Sequence, residues 1–185
     1  MPKHILNEEA IINAGKTFIA KEGFGALSMR GFSESMGVAV GSVYNYFPSK
    51  GALMRAIIAS IWEEILAPLR NLDTCTSFAE AVACLVAVLR EGEETYPGIL
   101  ALHADQLPGK ERSKGRAEMN ARFDALKAHM LTLLAADARV RPGVFGDGLT
   151  PEAFIDDILT LAIVHQAQDK ASDHALRKLV ENAIY

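Results

Sequence analysis

Apolar residues along this chain recur every three or four positions and almost never alternate. Ile11, Ala14 and Phe18 fall on one helical face, with Ile12 and Ile19 beside it. Leu53, Ile57, Ile61 and Ile65 step by four. Phe78, Val82, Leu85 and Leu89 form another face, and Met119, Phe123, Leu126, Met130 and Leu133 a long stripe. This period belongs to α-helices with one buried side. Capping and breaking residues bound the segments. Asn7 with Glu8 and Glu9 opens the first helix, and Gly23 stops it. Ser28 caps a short helix running to Met36, Gly37 breaks it, and a third short helix spans Val40 to Tyr46 before Pro48. Ser49 opens a long fourth helix that Pro68 ends or kinks.

Further on, Ser77-Phe78-Ala79-Glu80 reads as a capping box, and Pro97-Gly98 as a break. Residues 107–115 read as a polar turn, and residues 141–149, with Pro142, Gly143, Gly146 and Gly148, as a loop. Thr150-Pro151-Glu152 starts a helix that is apolar all round from Ile158 to Val164 except at Thr160. Leu176, Leu179, Val180 and Ala183 mark the last helix. The expectation is an all-α chain of about nine helices.

Composition narrows the possibilities. Half of the 185 residues are hydrophobic, enough for a true core, and the net charge of −4 excludes an overall basic coat for nucleic acid. The charge is nevertheless uneven. Lys3, Lys16, Lys21, Arg30, Lys50 and Arg55 outweigh Glu8, Glu9, Glu22 and Glu34 in the first 55 residues, while the remainder is acidic. A mildly positive head on an acidic body fits a head that meets a polyanion. Cys75 and Cys84, the two cysteines, form no Cys-x-x-Cys motif. A redox pair and two small buried hydrophobes both fit, and the burial habit of free cysteine favours the second. The polar start shows no signal peptide, and no apolar run reaches the ~18–20 residues of a membrane span. A soluble, cytoplasmic protein is expected.

The sharpest motif runs from Ser28 to Leu53, SMRGFSESMGVAVGSVYNYFPSKGAL. Two short helices around a glycine suit a helix-turn-helix, with Phe32, Met36, Val38 and Val43 packing the pair and Gly37 supplying the positive φ of the turn. Ala39, Val40, Gly41 and Ser42 make a small outer face that lets a helix come close to a groove floor. Tyr44, Asn45 and Tyr46 add polar tips, and Lys50 sits where helix N-terminal amides also attract phosphate. Three ordinary packed helices with surface tyrosines would produce the same pattern.

Phe24, Leu27, Ser28-Met29-Arg30, Gly37-Val38 and above all Gly41-Ser42-Val43-Tyr44-x-Tyr46-Phe47-Pro48-Ser49-Lys50-x-x-Leu53 resemble the DNA-binding segment of the tetracycline-repressor (TetR) family of bacterial regulators. The resemblance covers residues 5–55. It implies an N-terminal three-helix helix-turn-helix domain, residues 1–48, and a C-terminal helical effector-binding and dimerisation domain, residues 49–185. It also implies that helix 40–46 enters the major groove, with Tyr44 and Lys50 on phosphates. Ser28 and Arg30 would approach the backbone or a base edge, and Ala39, Val40, Gly41, Ser42, Asn45 and Tyr46 would face the groove. Ala39 stands where the family has a capping Ser or Thr, which weakens that helix start by ~1 kcal/mol. Gly31, Gly51, Ser33 and Ser35 also depart from the family pattern and imply a looser head. Val40 and Gly41 cannot make bidentate base contacts, leaving Ser42 and Asn45 as readers.

One weakly charged head binds DNA poorly, and two heads ~34 Å apart on a near-palindrome correct this. The helices at about 152–167 and 172–184 are therefore read as a homodimer surface, since an all-round apolar helix must be covered on more than one side. Burial of both within one subunit is the alternative. The resemblance further implies a small-molecule effector pocket in the body, with candidate lining residues Trp62, Phe78, Leu85, Tyr96, Leu100, His103, Met119, Phe123 and His165, coupled to the heads through the fourth helix. Each of these also fits plain core.

His103, Asp105 and His165 lack metal-ligand spacing, and no metal or cofactor is expected. No nucleophile elbow, phosphate loop or catalytic carboxylate pair appears, so no enzyme activity is expected. The combined expectation is a ligand-responsive, dimeric regulator that binds a double-stranded DNA operator and represses until a small-molecule effector releases it. The rival is a helical small-molecule-binding protein or enzyme that has lost DNA binding, and a third possibility is a structural dimerisation protein.

Overall fold

Helix punctuation in the computed structural model follows the caps written in the sequence. The structure describes residues 6–101, 107–146, 148–168 and 173–185, without the side chains of Asp73 and Asp173. Asn7 accepts the Ala10 N–H on its side-chain oxygen at 2.7 Å and opens α1, Glu8–Glu22, which Gly23 ends at φ 79°. α2 is Met29–Ser35, α3 Val40–Tyr44 and α4 Lys50–Leu66. A 3-10 helix, Ala67–Thr74, follows with Pro68 in its first turn, so the proline ends α4 rather than bending it. α5 is Phe78–Thr95, α6 Gly109–Ala136, α7 Pro151–Ala167 and α8 Asp173–Ile184. The chain is all-α. Among the described residues, strand-like pairing is confined to an isolated bridge between Gly146 and Leu149.

Three expectations change. Residues 107–115 are not a turn, because α6 already runs from Gly109. Their polarity is that of a solvated helix face, with Lys110, Arg112, Ser113 and Lys114 exposed. The third helix stops at Tyr44 instead of Tyr46. There the Tyr46 N–H bonds to the Val43 carbonyl in a tighter i−3 turn, and the chain leaves the helix ahead of Pro48, before which the α conformation is disfavoured. The capping box closes only halfway. Ser77 accepts the Glu80 N–H at 3.0 Å, but the Glu80 carboxylate reaches past it to the N–H and hydroxyl of Thr76, at 2.6 and 2.8 Å.

The described chain divides into two compact units. One holds Met1–Glu64 with Thr95–Met119, the other Ile65–Glu94 with Asn120–Tyr185. In the first unit Ile11, Ile19, Leu27, Phe32, Val43, Leu53 and Ile57 are buried, and Phe18 meets Phe32 edge-on at 5.8 Å. α1 and α4 touch where Gly15 leaves room: a Cβ there would lie 2.3 Å from Cδ1 of Ile57. Arg55 of α4 donates to Glu111 at 2.6 Å and to Glu118 at 2.5 Å, tying the start of α6 to this unit.

The second unit is built on Phe78, Leu85, Leu89, Met130, Phe154, Ile155, Ile158 and Val180. Asp137, just past α6, joins its parts. Its carboxylate accepts the Phe78 N–H at 2.8 Å, the Tyr185 hydroxyl at 2.5 Å and the Arg139 guanidinium at 3.0 Å. The Tyr185 oxygen in turn accepts the Ala79 N–H at 3.3 Å. Arg141 covers the C-terminus of α8, donating to the Ala183 carbonyl at 2.9 Å. Burial works to raise the Asp137 pKa, but the hydrogen bonds from Tyr185, Phe78 and Arg139 together outweigh it and hold the group at about 2.

Two outcomes follow from this packing. Asp137 titrates lower in the folded state than its ordinary 3.8, so its stabilisation is complete above that value and is lost as pH falls through about 2. Asp137→Asn should therefore cost about 2 kcal/mol at neutral pH, and the gap from the parent protein should close toward about pH 2, read from urea melts across pH. Gly15→Leu should destabilise by about 1–3 kcal/mol through overpacking, with partial recovery when Ile57→Ala is added, read from melting temperatures in a double-mutant cycle.

Candidate nucleic-acid interface

α2 and α3 are too short to persist alone and are set by their surroundings. Ser28 caps α2 by accepting the Gly31 N–H at 3.1 Å. Gly37 takes φ 68°, a backbone that side chains with a Cβ avoid, and this turn sends the chain into α3. Ala39 makes no side-chain cap, so α3 starts on backbone bonds alone, as expected from the missing Ser or Thr. Val43 is fully buried and Phe47 nearly so. These two anchors decide which side of α3 meets solvent.

On that side lie most of the residues proposed from the sequence. Ser28, Arg30, Ala39, Val40, Gly41, Tyr44, Asn45, Tyr46 and Lys50 are exposed, and Ser42 is half-buried. Among the described residues five large hydrophobic side chains are exposed, and Val40, Tyr44 and Tyr46 are three of them. Arg30 pairs with Glu34 at 3.0 Å, one turn on, with 88% of its side chain in solvent. So open a pair contributes little, and a phosphate could displace the carboxylate. Lys50 begins α4, whose N-terminus Ser49 caps by accepting the Ala52 N–H at 3.1 Å.

The structure adds a role that the sequence concealed. The Tyr46 hydroxyl donates to the Leu6 carbonyl at 2.7 Å, forty residues away, and holds Leu6 beside α3. Its proton is therefore already committed. The serines expected to loosen the head are satisfied locally: Ser33 donates to the Met29 carbonyl and Ser35 to the Phe32 carbonyl, both at 2.7 Å. Gly51 is likewise a packing residue, since a Cβ there would lie 2.9 Å from Cγ of Pro108.

The effector-pocket candidates fall in two groups. Trp62, Tyr96, Leu100 and Met119 belong to the first unit, and Phe78, Leu85, Phe123 and His165 to the second. His103 lies outside the described residues, as does Asp105. Trp62, Phe78, Leu85, Tyr96 and Leu100 are buried, while Met119, Phe123 and His165 are half-buried. Tyr96 donates to Glu64 at 3.0 Å, and the other oxygen of Glu64 takes Lys16 of α1 at 2.8 Å. Burial and the Glu64 carboxylate push Tyr96 up to about 12, while Lys16 lowers Glu64. In the second unit, a cavity of about 540 Å³ is lined by Leu131, Leu134, Val140, Arg141, Phe145 and Pro151 among others. None of the described candidates lines it. Among the described residues no group of three or more His, Cys, Asp or Glu side chains is placed to hold a metal, and no helix is long and apolar enough to cross a membrane.

Buried anchors, a glycine turn and an open second helix define a helix-turn-helix unit. Residues 11–57 match the family described as bacterial regulatory proteins, tetR family. That match covers about a quarter of the chain and lies within the segment that holds α1 to α4. Over 61 residues it is 37% identical to the HTH-type transcriptional regulator UidR of Escherichia coli (strain K12), a match covering 33% of this chain and 31% of UidR. The chain thus spans about a third of that relative's length.

Solved structures extend the likeness to the whole fold. The TetR family transcriptional regulator PfmR from Thermus thermophilus superposes with a TM-score of 0.64 at 16% identity, covering 97% of this chain and 96% of that one. AibR, solved with isovaleryl coenzyme A and operator DNA, gives 0.60 at 14% identity, covering 96% and 97%.

Tyr46→Phe should release the start of the chain, lowering stability by about 1 kcal/mol in urea titration and speeding amide exchange in the first turn of α1.

Proposed function

We propose that this chain is a DNA-binding transcriptional regulator that acts in the cytoplasm as a homodimer. Residues 1–48 read DNA, and residues 49–185 bind an effector and dimerise. The observation that carries the proposal is the outward face of α3. A helix anchored by the buried Val43, with Phe47 buried just past its end, leaves Val40, Gly41, Tyr44 and Asn45 open to solvent, with Lys50 at the next helix start. Small residues along that face let the backbone approach a groove, and polar tips flank them. Tyr44 and Lys50 take phosphates, Ser28 and Arg30 contact the backbone or a base edge, and Ser42 and Asn45 supply hydrogen bonds to bases. Ala39 and Tyr46 complete the groove-facing surface.

Dimerisation uses α7 and α8. α7 buries Ile155, Ile158, Leu159 and Ala162 within the chain yet leaves Val164 exposed, and α8 leaves Leu179 exposed. Apolar side chains on both helices thus remain to be covered by a second copy. The effector is a small molecule that favours one state of the DNA-binding heads, and its binding releases the operator and ends repression. The fold of AibR, solved with an acyl coenzyme A and operator DNA, supports pairing both functions in one chain. The hydrogen-bonded series Tyr96–Glu64–Lys16 supports an input to α1 from the segment after α5.

The test is binding to duplexes from the DNA upstream of the protein's own gene, followed by fluorescence anisotropy at several salt concentrations. Tyr44→Ala and Lys50→Ala should each weaken binding several-fold, and Lys50→Ala should also lower the slope of log K against log salt by about one. No retardation of such DNA by the parent protein at low salt would overturn the proposal. Sedimentation should give a dimer that Val164→Glu with Leu179→Glu converts to monomer.

A further inference from the structure

Cys75 and Cys84 are separated by nine positions and match no cysteine motif, yet the structure brings their sulfurs to 3.8 Å. Neither is sealed in the core, for both are half-buried. Cys75 lies just past the 3-10 helix with extended backbone, φ −69° and ψ 135°. As the C-cap it is joined to that helix by its own N–H, while its side chain can turn about χ1 without disturbing that bond. Cys84 sits on α5, within the same compact unit. A disulfide requires a sulfur separation of about 2.05 Å, so the pair needs to close by roughly 1.8 Å. The Cys75 N–H is held by the Leu72 carbonyl at 2.9 Å, but no helix continues beyond it, so side-chain rotation with a small backbone shift on the Cys75 side can close the gap.

We propose that Cys75 and Cys84 are a thiol pair that a hydroperoxide oxidises to an intramolecular disulfide, making this end of α5 a redox modification site. The inference does not rest on DNA binding. Two inert core cysteines would be buried apart from one another, whereas these face each other and reach solvent. Chelation of a soft metal ion is less well served, since among the described residues no third His, Cys, Asp or Glu joins the pair. Burial, then the neighbouring Cys84, push Cys75 up to about 11. The thiolate is thereby disfavoured at Cys75, which leaves the first attack to Cys84.

In the first step the Cys84 thiolate attacks one oxygen of hydrogen peroxide and the O–O bond breaks. The leaving hydroxide takes up a proton as water, and Cys84 becomes a sulfenic acid. Cys75 then gives up its proton and attacks the Cys84 sulfur. The S–O bond breaks, a second water leaves, and the S–S bond forms. In sum, two thiols lose two protons and two electrons, and one peroxide is reduced to two waters.

The reduced full-length protein, freed of reductant, is treated with hydrogen peroxide, denatured in N-ethylmaleimide and analysed by intact mass and peptide mapping. The parent should lose two hydrogens, take up no maleimide and yield a Cys75–Cys84 linked peptide within one chain. Dithiothreitol should restore both alkylation sites. Cys75→Ser should leave Cys84 as a sulfenic acid trapped by dimedone. The proposal is overturned if both parent thiols remain alkylatable under conditions that fully oxidise glutathione, or if the only disulfides link two chains.

Discussion

Burial of Val43 and Phe47 is the constraint on which the exposed face of α3 depends. α3 has five residues, too few for a helix to persist in water on its own hydrogen bonds. It lacks a side-chain cap as well. Its position is therefore borrowed from the apolar contacts beneath it, and those contacts dictate which residues remain outside. The side chains on the open face need only be small or polar-tipped. The glycine turn at Gly37 sets the direction in which the chain enters α3, and the Tyr46 hydroxyl ties Leu6 to the same place. A short helix placed in this way takes its orientation from its neighbours rather than from its own hydrogen bonds.

Polar anchoring takes a different form in each unit. Arg55 in the first holds two glutamates of α6 from one guanidinium, so the opening of a long, highly charged helix is fixed by charge-assisted hydrogen bonds rather than by apolar packing alone. Asp137 in the second accepts from a helix N-terminus, a tyrosine hydroxyl and an arginine, satisfying one of the N-terminal N–H groups of α5 that has no helical partner. Removing any one donor leaves a buried carboxylate short of a partner, which makes such a hub stabilising and brittle together.

Much of the fold was legible in advance because its determinants are local. Asn7, Ser28, Ser49 and Thr150 announce helix starts through side-chain oxygens that can only bond to nearby N–H groups, and all four do so. The spaced apolar residues of α1, α4, α5 and α7 mark buried faces for the same reason. Misjudgements arose where polarity had two meanings. Residues 107–115 looked like a turn because a solvated helical face and a polar loop share a composition, and only packing separates them. The family motif exposed the candidate site at once, since its residues are contiguous, but contiguity said nothing of Tyr46 reaching back to Leu6.

The sequence by itself determined the helical class, the caps and the outward side chains of α3, all consequences of interactions within a few residues. Tertiary structure alone decided the partners of Asp137, the closeness of α1 and α4 at Gly15, the assignment of residues to two units and the meeting of two cysteine sulfurs. Each depends on pairs distant in the chain, or on which side of a turn a side chain happens to land, and neither short-range spacing nor composition encodes that geometry.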